Sequence, residues 1–422
     1  MMRLLVCGAE VRFILMNDER ENGALPFDGI ICIGGEDWWY HNRGHFDFQL
    51  MRRFAKDWPV LFVNSIAVRV PSLKEKRQFA AKVGRKLRSL SRGLVRVENE
   101  FWVFSPVSVP GKTGQFLSNW ALAAQIKLAA ANAGIRRPLL WVHCPAGAGL
   151  LQSIPHTQLV LQRTDRFELF PEADPAVIGA DMKRLMKNAD LVVYCAAHLM
   201  DEERHSVKRQ VLITHGVDLE TFLAAGQTRV PGPVDVATLA RPRVGFIGGI
   251  DAHTFGPELF LETARRLPDC EFVMIGGCSL PKGWCTLPNV KFLGRKPYEQ
   301  IASYMAAMDV LIMPWNDSGW IKACNPIKLK EYLATGRPIV TTDFPALERF
   351  REVVRVADGP EDFARQIKAA LTEPYDAGRA RAMVASESWE AKAACLAQSM
   401  LDVGYELERA RQKANVAKRL QA

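Results

Sequence analysis

Asn325-Pro-Ile-Lys-Leu-Lys-Glu-Tyr-Leu-Ala-Thr-Gly-Arg-Pro-Ile-Val340 reads as one short helix feeding one buried strand. Asn325 is a strong N-cap, and Pro326 suits the first helical position, where its missing N–H costs nothing. Gly336 and then Pro338 stop the helix, so the pattern predicts a helix from about Pro326 to Thr335. Lys328 and Glu331 lie three apart and project from one face near its N-terminus. That end carries free N–H groups and a partial positive charge, suited to a diphosphate, and Lys328 adds a full charge. Glu331, a turn later, is placed to accept hydrogen bonds from ribose hydroxyls. The same spacing also suits a capped surface helix with an i,i+3 ion pair.

Working outward, short apolar runs end in glycine or proline: Val244–Ile247 in Gly248-Gly249, Phe272–Ile275 in Gly276-Gly277, Val290–Leu293 in Gly294, and Val310–Met313 in Pro314. Pro257 and Pro297 each mark a helix start. The first half follows the same logic. Buried strands are predicted at Ile30–Gly34, Val60–Asn64, Leu139–His143, Leu191–Cys195 and Val211–Thr214, with helices at Asp47–Lys56, Thr113–Asn132 and Asp174–Asn188. Strands alternating with helices make an α/β protein with parallel sheets covered on both faces. The Gly- and Pro-rich stretch between Leu219 and Arg243 places a domain boundary. The expected division is 1–222, a linker at 223–241, a second domain at 242–390 and a closing helix at 391–422. Residues 1–29 precede the first convincing strand. Ligands of such sheets bind beyond the carboxyl ends of the strands.

A length of 422 residues suggests two or three domains, and 48% hydrophobic with 24% charged residues excludes a disordered or fibrous chain. No stretch approaches the ~18–20 apolar residues of a membrane span, and the N-terminus lacks a signal-peptide core. Nine cysteines, an odd number without CxxC pairs, fit reduced thiols in the cytoplasm. The net charge of +9 is local, because Ser72–Arg96 holds nine Lys/Arg against Glu75 alone. Ala80, Val83, Leu87, Leu90 and Leu94 form an apolar stripe at helical spacing within it. Such a basic amphipathic helix suits an anionic membrane surface, or else a solvated helix packed on its own domain. Nucleic acid is a poor fit, since no basic stripe with interleaved aromatics appears elsewhere.

The pattern P-x-K-x-x-E-Y-L-A-x-G-x-P-I-V resembles the nucleotide-sugar site of GT-B fold glycosyltransferases, particularly the family-4-like group. Thr214-His-Gly-Val-Asp218 with Phe222, Arg243-Val-Gly-Phe-Ile-Gly-Gly249, Leu287-Pro-Asn-Val-Lys-Phe-Leu-Gly294 and Asp309-Val-Leu-Ile-Met-Pro314 are similar to that family's other segments, in its order. The resemblance spans about residues 30–400. It implies two Rossmann-like domains facing a central cleft, and transfer of a sugar from a nucleoside diphosphate sugar to a hydroxyl acceptor. Gly248, Gly249, Gly276 and the Asn325, Pro326, Lys328 and Glu331 helix would hold the donor, with Arg295 near its base. Two positions depart from the family. Ala323 stands where many retaining members carry a second glutamate, and His215 replaces the usual Asn of N-G-V-D.

Gly111-Lys-Thr lacks the first glycine of a P-loop, and Gly245-Phe-Ile-Gly-Gly249 lacks the dinucleotide spacing. No D-x-D triplet occurs, and no His/Cys cluster has ligand spacing, so neither a metal nor another cofactor is expected. In the first half, Gly34-Gly-Glu-Asp-Trp-Trp-Tyr-His41 follows a strand. Glu36 and Asp37 among Trp38, Trp39 and His41 suit an acceptor site, since aromatic faces stack on sugar rings; a loop packed by its tryptophans fits as well. Asp165 falls where related enzymes place an acidic residue and is the first candidate for general base, with Glu36 and Asp37 as rivals. An ion pair with Arg163 or Arg166 is the alternative for Asp165. Together these imply a cytoplasmic enzyme, peripheral on the inner membrane face, acting on a saccharide or lipid-linked acceptor. A sugar-nucleotide epimerase and a non-catalytic membrane scaffold are the rival functions.

Overall fold

The computed structural model describes residues 25–40, 44–66, 84, 88–107, 115–169, 174–227, 232–319, 321 and 327–421. The chain divides into two compact units: residues up to Thr214 together with Glu390 onwards, and His215–Trp389.

The first unit holds β1 (Gly29–Ile33), β2 (Val60–Val63), β3 (Leu94–Glu98), β4 (Phe101–Phe104), β5 (Pro138–Val142), β6 (Gln158–Arg163), β7 (Leu191–Tyr194) and β8 (Gln210–Leu212). Their order is β3-β4-β2-β1-β5-β6-β7-β8, and every pairing is parallel except β3 with β4. Every residue of β1, β2, β5, β6 and β7 is buried, as strands covered on both faces must be. On one face Ile31, Ile33, Leu61, Val63 and Leu140 pack against Leu122 and Ile126 of the helix Gln115–Asn132. The other face is aromatic: Trp38, Phe62, Phe101 and Phe48 of the helix Phe46–Phe54 meet with centroids 4.8–6.3 Å apart.

The β3–β4 hairpin corrects the expectation of a helix reaching Arg96. Gly93 adopts φ 59°, a left-handed conformation that suits glycine and ends the helical turns at Arg92. Leu94 and Arg96 then pair antiparallel with Phe104 and Trp102. Of the basic segment 72–96, residues 72–83 and 85–87 lie outside the described residues.

The second unit holds β9 (Arg243–Ile247), β10 (Glu271–Ile275), β11 (Val290–Gly294), β12 (Val310–Met313), β13 (Ile339–Thr341) and β14 (Arg355–Val356). These form an all-parallel sheet ordered β11-β10-β9-β12-β13-β14. Side chains alternate between two cores. Val244, Phe246, Phe272 and Met274 meet Phe260 and Phe363 on one face, while Ile247, Val273, Ile275 and Leu311 meet Met305, Leu329 and Leu333 on the other.

The expected linker at 223–241 carries structure of its own. Helices Leu219–Gln227 and Val234–Ala237 occur there, and Phe222 and Val236 sit in a core of the second unit. The last helix, Trp389–Gln421, belongs to the first unit from Glu390. Arg137 pairs with its Glu408 at 2.5 Å and Arg209 with its Glu406 at 2.6 Å. Among the described residues no helix is long and apolar enough to cross a membrane.

In each sheet one strand leaves the order reversed on either side of it: β1 between β2 and β5, and β9 between β10 and β12. At such points the connections part in opposite directions and open a crevice beyond the carboxyl ends.

Candidate functional site

In the second unit, the turns after β9, β10 and β11 are stitched by backbone. Gly248 N–H donates to Ile275 O at 2.9 Å, Ile250 N–H to Gly277 O at 2.9 Å, and Gly276 N–H to Gly294 O at 3.0 Å. Gly276 has φ 149°, and a Cβ there would lie 1.7 Å from Gly248 O, so no side chain fits. A Cβ on Gly277 would lie 2.6 Å from Arg295 Nε, which places the exposed Arg295 guanidinium across that glycine. Gly248, Gly249, Gly276 and Arg295 therefore share one edge.

Residues that the motif reading missed hold this edge. Asp251 Oδ1 accepts from the N–H groups of His253 and Thr254, both at 2.9 Å. Asn316, after β12, donates from Nδ2 to Ala252 O at 3.1 Å, and Ser318 Oγ donates to His253 O at 2.9 Å. These bonds pin the loop after β9 to the loop after β12. Their sequence signal was only a scatter of small polar residues near strand ends.

The helix Ile327–Thr335 lies between the parallel strands β12 and β13, so it runs back from the carboxyl to the amino edge. Its first turn is thus on the side of Gly248 and Gly249. Tyr332, fully buried, accepts Ile247 N–H at 2.9 Å and locks the helix against β9. Burial pushes its phenol well above the ordinary value. On another face Lys330 Nζ donates to His215 O at 2.6 Å and Glu387 Oε2 at 2.8 Å, and Arg349 also pairs with Glu387, at 2.5 Å.

Lys328 Nζ donates to Glu331 Oε2 at 2.7 Å, the i,i+3 pair that the spacing allowed. Glu331 is 0% exposed, yet its second oxygen, Oε1, has no hydrogen-bond partner among the described residues. A buried acceptor left unpaired costs about 1–3 kcal/mol. Such an atom, behind a lysine on a strand's carboxyl edge, is ready for a hydroxyl donor. Asn325, Pro326 and Ala323 lie outside the described residues.

The first unit offers a different chemistry. Trp38 corrects the acceptor expectation: it is 1% exposed, enclosed by Phe48 and Phe101, and presents no face to a sugar. Trp39 is half-buried, with the Arg92 guanidinium 4.3 Å over its ring. His41 lies outside the described residues. Glu36 and Asp37 are half-buried, and Asp37 Oδ1 accepts Trp39 N–H at 3.0 Å, shaping the turn.

Asp165 does not pair with its neighbouring arginines through its carboxylate. Arg163, 1% exposed, donates to Glu168 and Glu203 at 2.7 Å each and to the Asp165 carbonyl at 2.8 Å. Arg166 pairs with Glu202. The Asp165 carboxylate instead acts electrostatically on His143.

His143, just past β5, is the functional candidate that sequence reading missed. Its Nδ1 is 3.1 Å from Asp47 Oδ2 and its Nε2 is 3.2 Å from Thr164 Oγ1. Asp47 is 0% exposed. Burial opposes both charges, yet each partner's charge and hydrogen bond outweigh it. The His143 pKa is raised, with help from Asp165 and Glu36, and the Asp47 pKa is lowered, with help from His45 and the Phe48 N–H. Asp47 had read only as the start of a helix.

Against known proteins, residues 241–373 match the family model described as glycosyl transferases group 1. Over 272 residues the chain is 28% identical to TuaH of Bacillus subtilis (strain 168), a protein named for a putative glycosyltransferase role in teichuronic acid biosynthesis. That alignment covers 59% of this chain and 68% of TuaH. Among solved structures, sucrose-phosphate synthase of Thermosynechococcus elongatus superposes with a TM-score of 0.62 at 17% identity, covering 89% of this chain and 99% of that one. Anabaena HepE in complex with UDP-glucose superposes with a TM-score of 0.53 at 14% identity, covering 91% and 99%. Residues 241–373 are thus a glycosyl transferases group 1 domain, and the chain is a glycosyltransferase with the paired parallel-sheet architecture of the GT-B fold.

Proposed function

We propose that this glycosyltransferase uses a nucleoside diphosphate sugar as donor, held by the second unit, and a hydroxyl acceptor handled by the first. The observation that carries the donor reading is Glu331, wholly buried with Oε2 on Lys328 and Oε1 unpartnered among the described residues. Ribose hydroxyls supply the missing donor, while Lys328 and the first helical turn face the diphosphate. HepE, of the same fold, was solved with UDP-glucose. Gly248 and Gly249 let the diphosphate approach the backbone, and Arg295 lies toward the base.

In the transfer, the bond between the sugar's anomeric carbon and the diphosphate oxygen breaks, and the acceptor oxygen bonds to that carbon. Charge growing on the leaving diphosphate is offset by the helix end and the ammonium, without a divalent cation. Asp165 takes the acceptor proton if configuration inverts and positions the acceptor if it is retained; Glu36 and Asp37 serve beside it. The basic segment 72–96 directs the enzyme to the anionic cytoplasmic face of the membrane, toward a lipid-linked or polysaccharide acceptor. TuaH's naming for teichuronic acid biosynthesis agrees with a polysaccharide product.

Thermal shift with a panel of nucleoside diphosphates, with and without EDTA, tests the donor site. A shift that survives EDTA is expected, and Lys328→Ala should erase it. Lys328→Gln keeps an N–H for Glu331 and separates lost charge from lost fold. No shift with any nucleoside diphosphate would favour a scaffold, and donor turnover without acceptor would favour an epimerase. For the membrane, flotation with anionic vesicles is expected, and equal binding to neutral vesicles overturns that part.

A further inference from the structure

Beyond the groups assigned above, one constellation of described residues in the first unit remains unused: the buried Asp47 and His143 with the half-buried Thr164, brought together from the helix Phe46–Phe54 and the ends of β5 and β6. Three features argue against a purely structural pair. The imidazole sits beside the sheet's order reversal, where such folds bind ligands. Gly35, in the β1 loop, leaves room for it, since a Cβ there would lie 2.9 Å from His143 Nδ1. The half-buried carboxylates Glu36 and Asp165 also act on the ring, although Asp47 alone would suffice for an ion pair.

We infer that Asp47 is a positioning residue for glycosyl transfer: it holds His143 as an imidazolium whose Nε2–H engages Thr164 Oγ1, so that the threonine hydroxyl points its own hydrogen at the acceptor. The acceptor hydroxyl then accepts from Thr164 and donates to Asp165. When His143 is neutral with its proton on Nδ1, Nε2 becomes an acceptor and draws the Thr164 hydrogen inward. The relay makes and breaks no covalent bond; it changes which way one hydroxyl donates. This rests on the transferase reading above.

The groups bearing on this site are few. Asp47 faces His143 directly, Glu36 and Asp165 face it from the loops after β1 and β6, and His45 acts on Asp47. Phe167 packs on the ring with its centroid 5.7 Å away. The nearby thiols stay neutral, because burial pushes Cys32 well up and Cys144 to about 11.

Two measurements on the full chain test this. Histidine-selective NMR gives the titration of His143, assigned by loss of its signal in His143→Gln, with no need for activity. In Asp47→Asn it should titrate about one pH unit lower. The kcat/KM profile should fall on its alkaline side with the wild-type His143 titration, and move down by the same amount in Asp47→Asn. Affinity for UDP should stay within about twofold. Thr164→Val should lower kcat/KM about tenfold, and Thr164→Ser should restore it. An unmoved His143 titration, an alkaline limb that does not follow it, or a Thr164→Val enzyme of full activity overturns the inference. Failure of the underlying reading looks different: no nucleoside diphosphate sugar is bound or turned over, whatever His143 does.

Discussion

At the carboxyl edge of the second unit's sheet the groups on offer are mainly backbone, a run of glycines beside a helix end, with Lys328, Glu331 and Arg295 among the charged side chains. At the corresponding edge of the first unit they are ionisable side chains: His143 and Asp47, with Asp165 and Glu36 acting on the ring. A diphosphate needs close approach and fixed positive potential, which glycines and a helix end supply. A hydroxyl acceptor needs one group to donate and one to accept, and that requires side chains from several strands. The second unit's edge is thus written in local sequence motifs, and the first unit's is assembled only by folding.

The largest expected effect is at Gly276. Gly276→Ala would drive a Cβ into Gly248 O at a positive φ. It should cost about 3 kcal/mol, lower Tm by roughly 8 °C, and abolish the response to UDP. A normal UDP shift in this variant would mean that the glycine edge is not the donor site. Next come the two lysines of the helix. Lys330→Met strips Glu387 of a buried partner and should cost about 3 kcal/mol in urea unfolding, with UDP affinity of the folded protein unchanged. Lys328→Gln should do the reverse, weakening UDP about tenfold or more in calorimetry, with a stability change under about 1 kcal/mol. If both variants behaved alike, the division between anchor and ligand group would fail.

The titrating edge answers to pH. The Asp47 pKa is lowered from 3.8, so its contribution is present above that value and is lost as pH falls through the folded value. The His143 pKa is raised from 6.5, so its contribution is full below that value and is lost as pH rises through the folded one. The pair should therefore stabilise most between about pH 4 and 6.5. The unfolding free-energy difference between wild type and Asp47→Asn, from urea titration, should be larger at pH 5.5 than at pH 9, by about 1 kcal/mol. A difference constant with pH would mean that the two groups do not titrate together. The smallest effect belongs to Arg295→Ala. This exposed side chain should leave stability within about 0.5 kcal/mol and weaken UDP only a few-fold.

Much of the second unit was readable in one dimension because its determinants are local. A strand ending in glycine, a proline opening a helix, and Lys328 three residues before Glu331 are written within a few positions of each other. The first unit's acceptor loop was misread where burial decides. Adjacent tryptophans on a strand-end loop look alike in sequence, yet Trp38 turns into the aromatic core and Trp39 outward under Arg92. The last helix shows the same limit: the sequence places a closing helix at 391–422, and only the fold assigns it to the first unit.

By itself the sequence determined two largely parallel sheets, strands that end in glycine, and a short helix stopped at Gly336, because periodicity, capping and glycine act over a turn or two. The pairing of Asp47 with His143, 96 positions apart, was decided only by tertiary structure. So was the isolation of Glu331 Oε1 among the described residues, since it depends on every element packed around it.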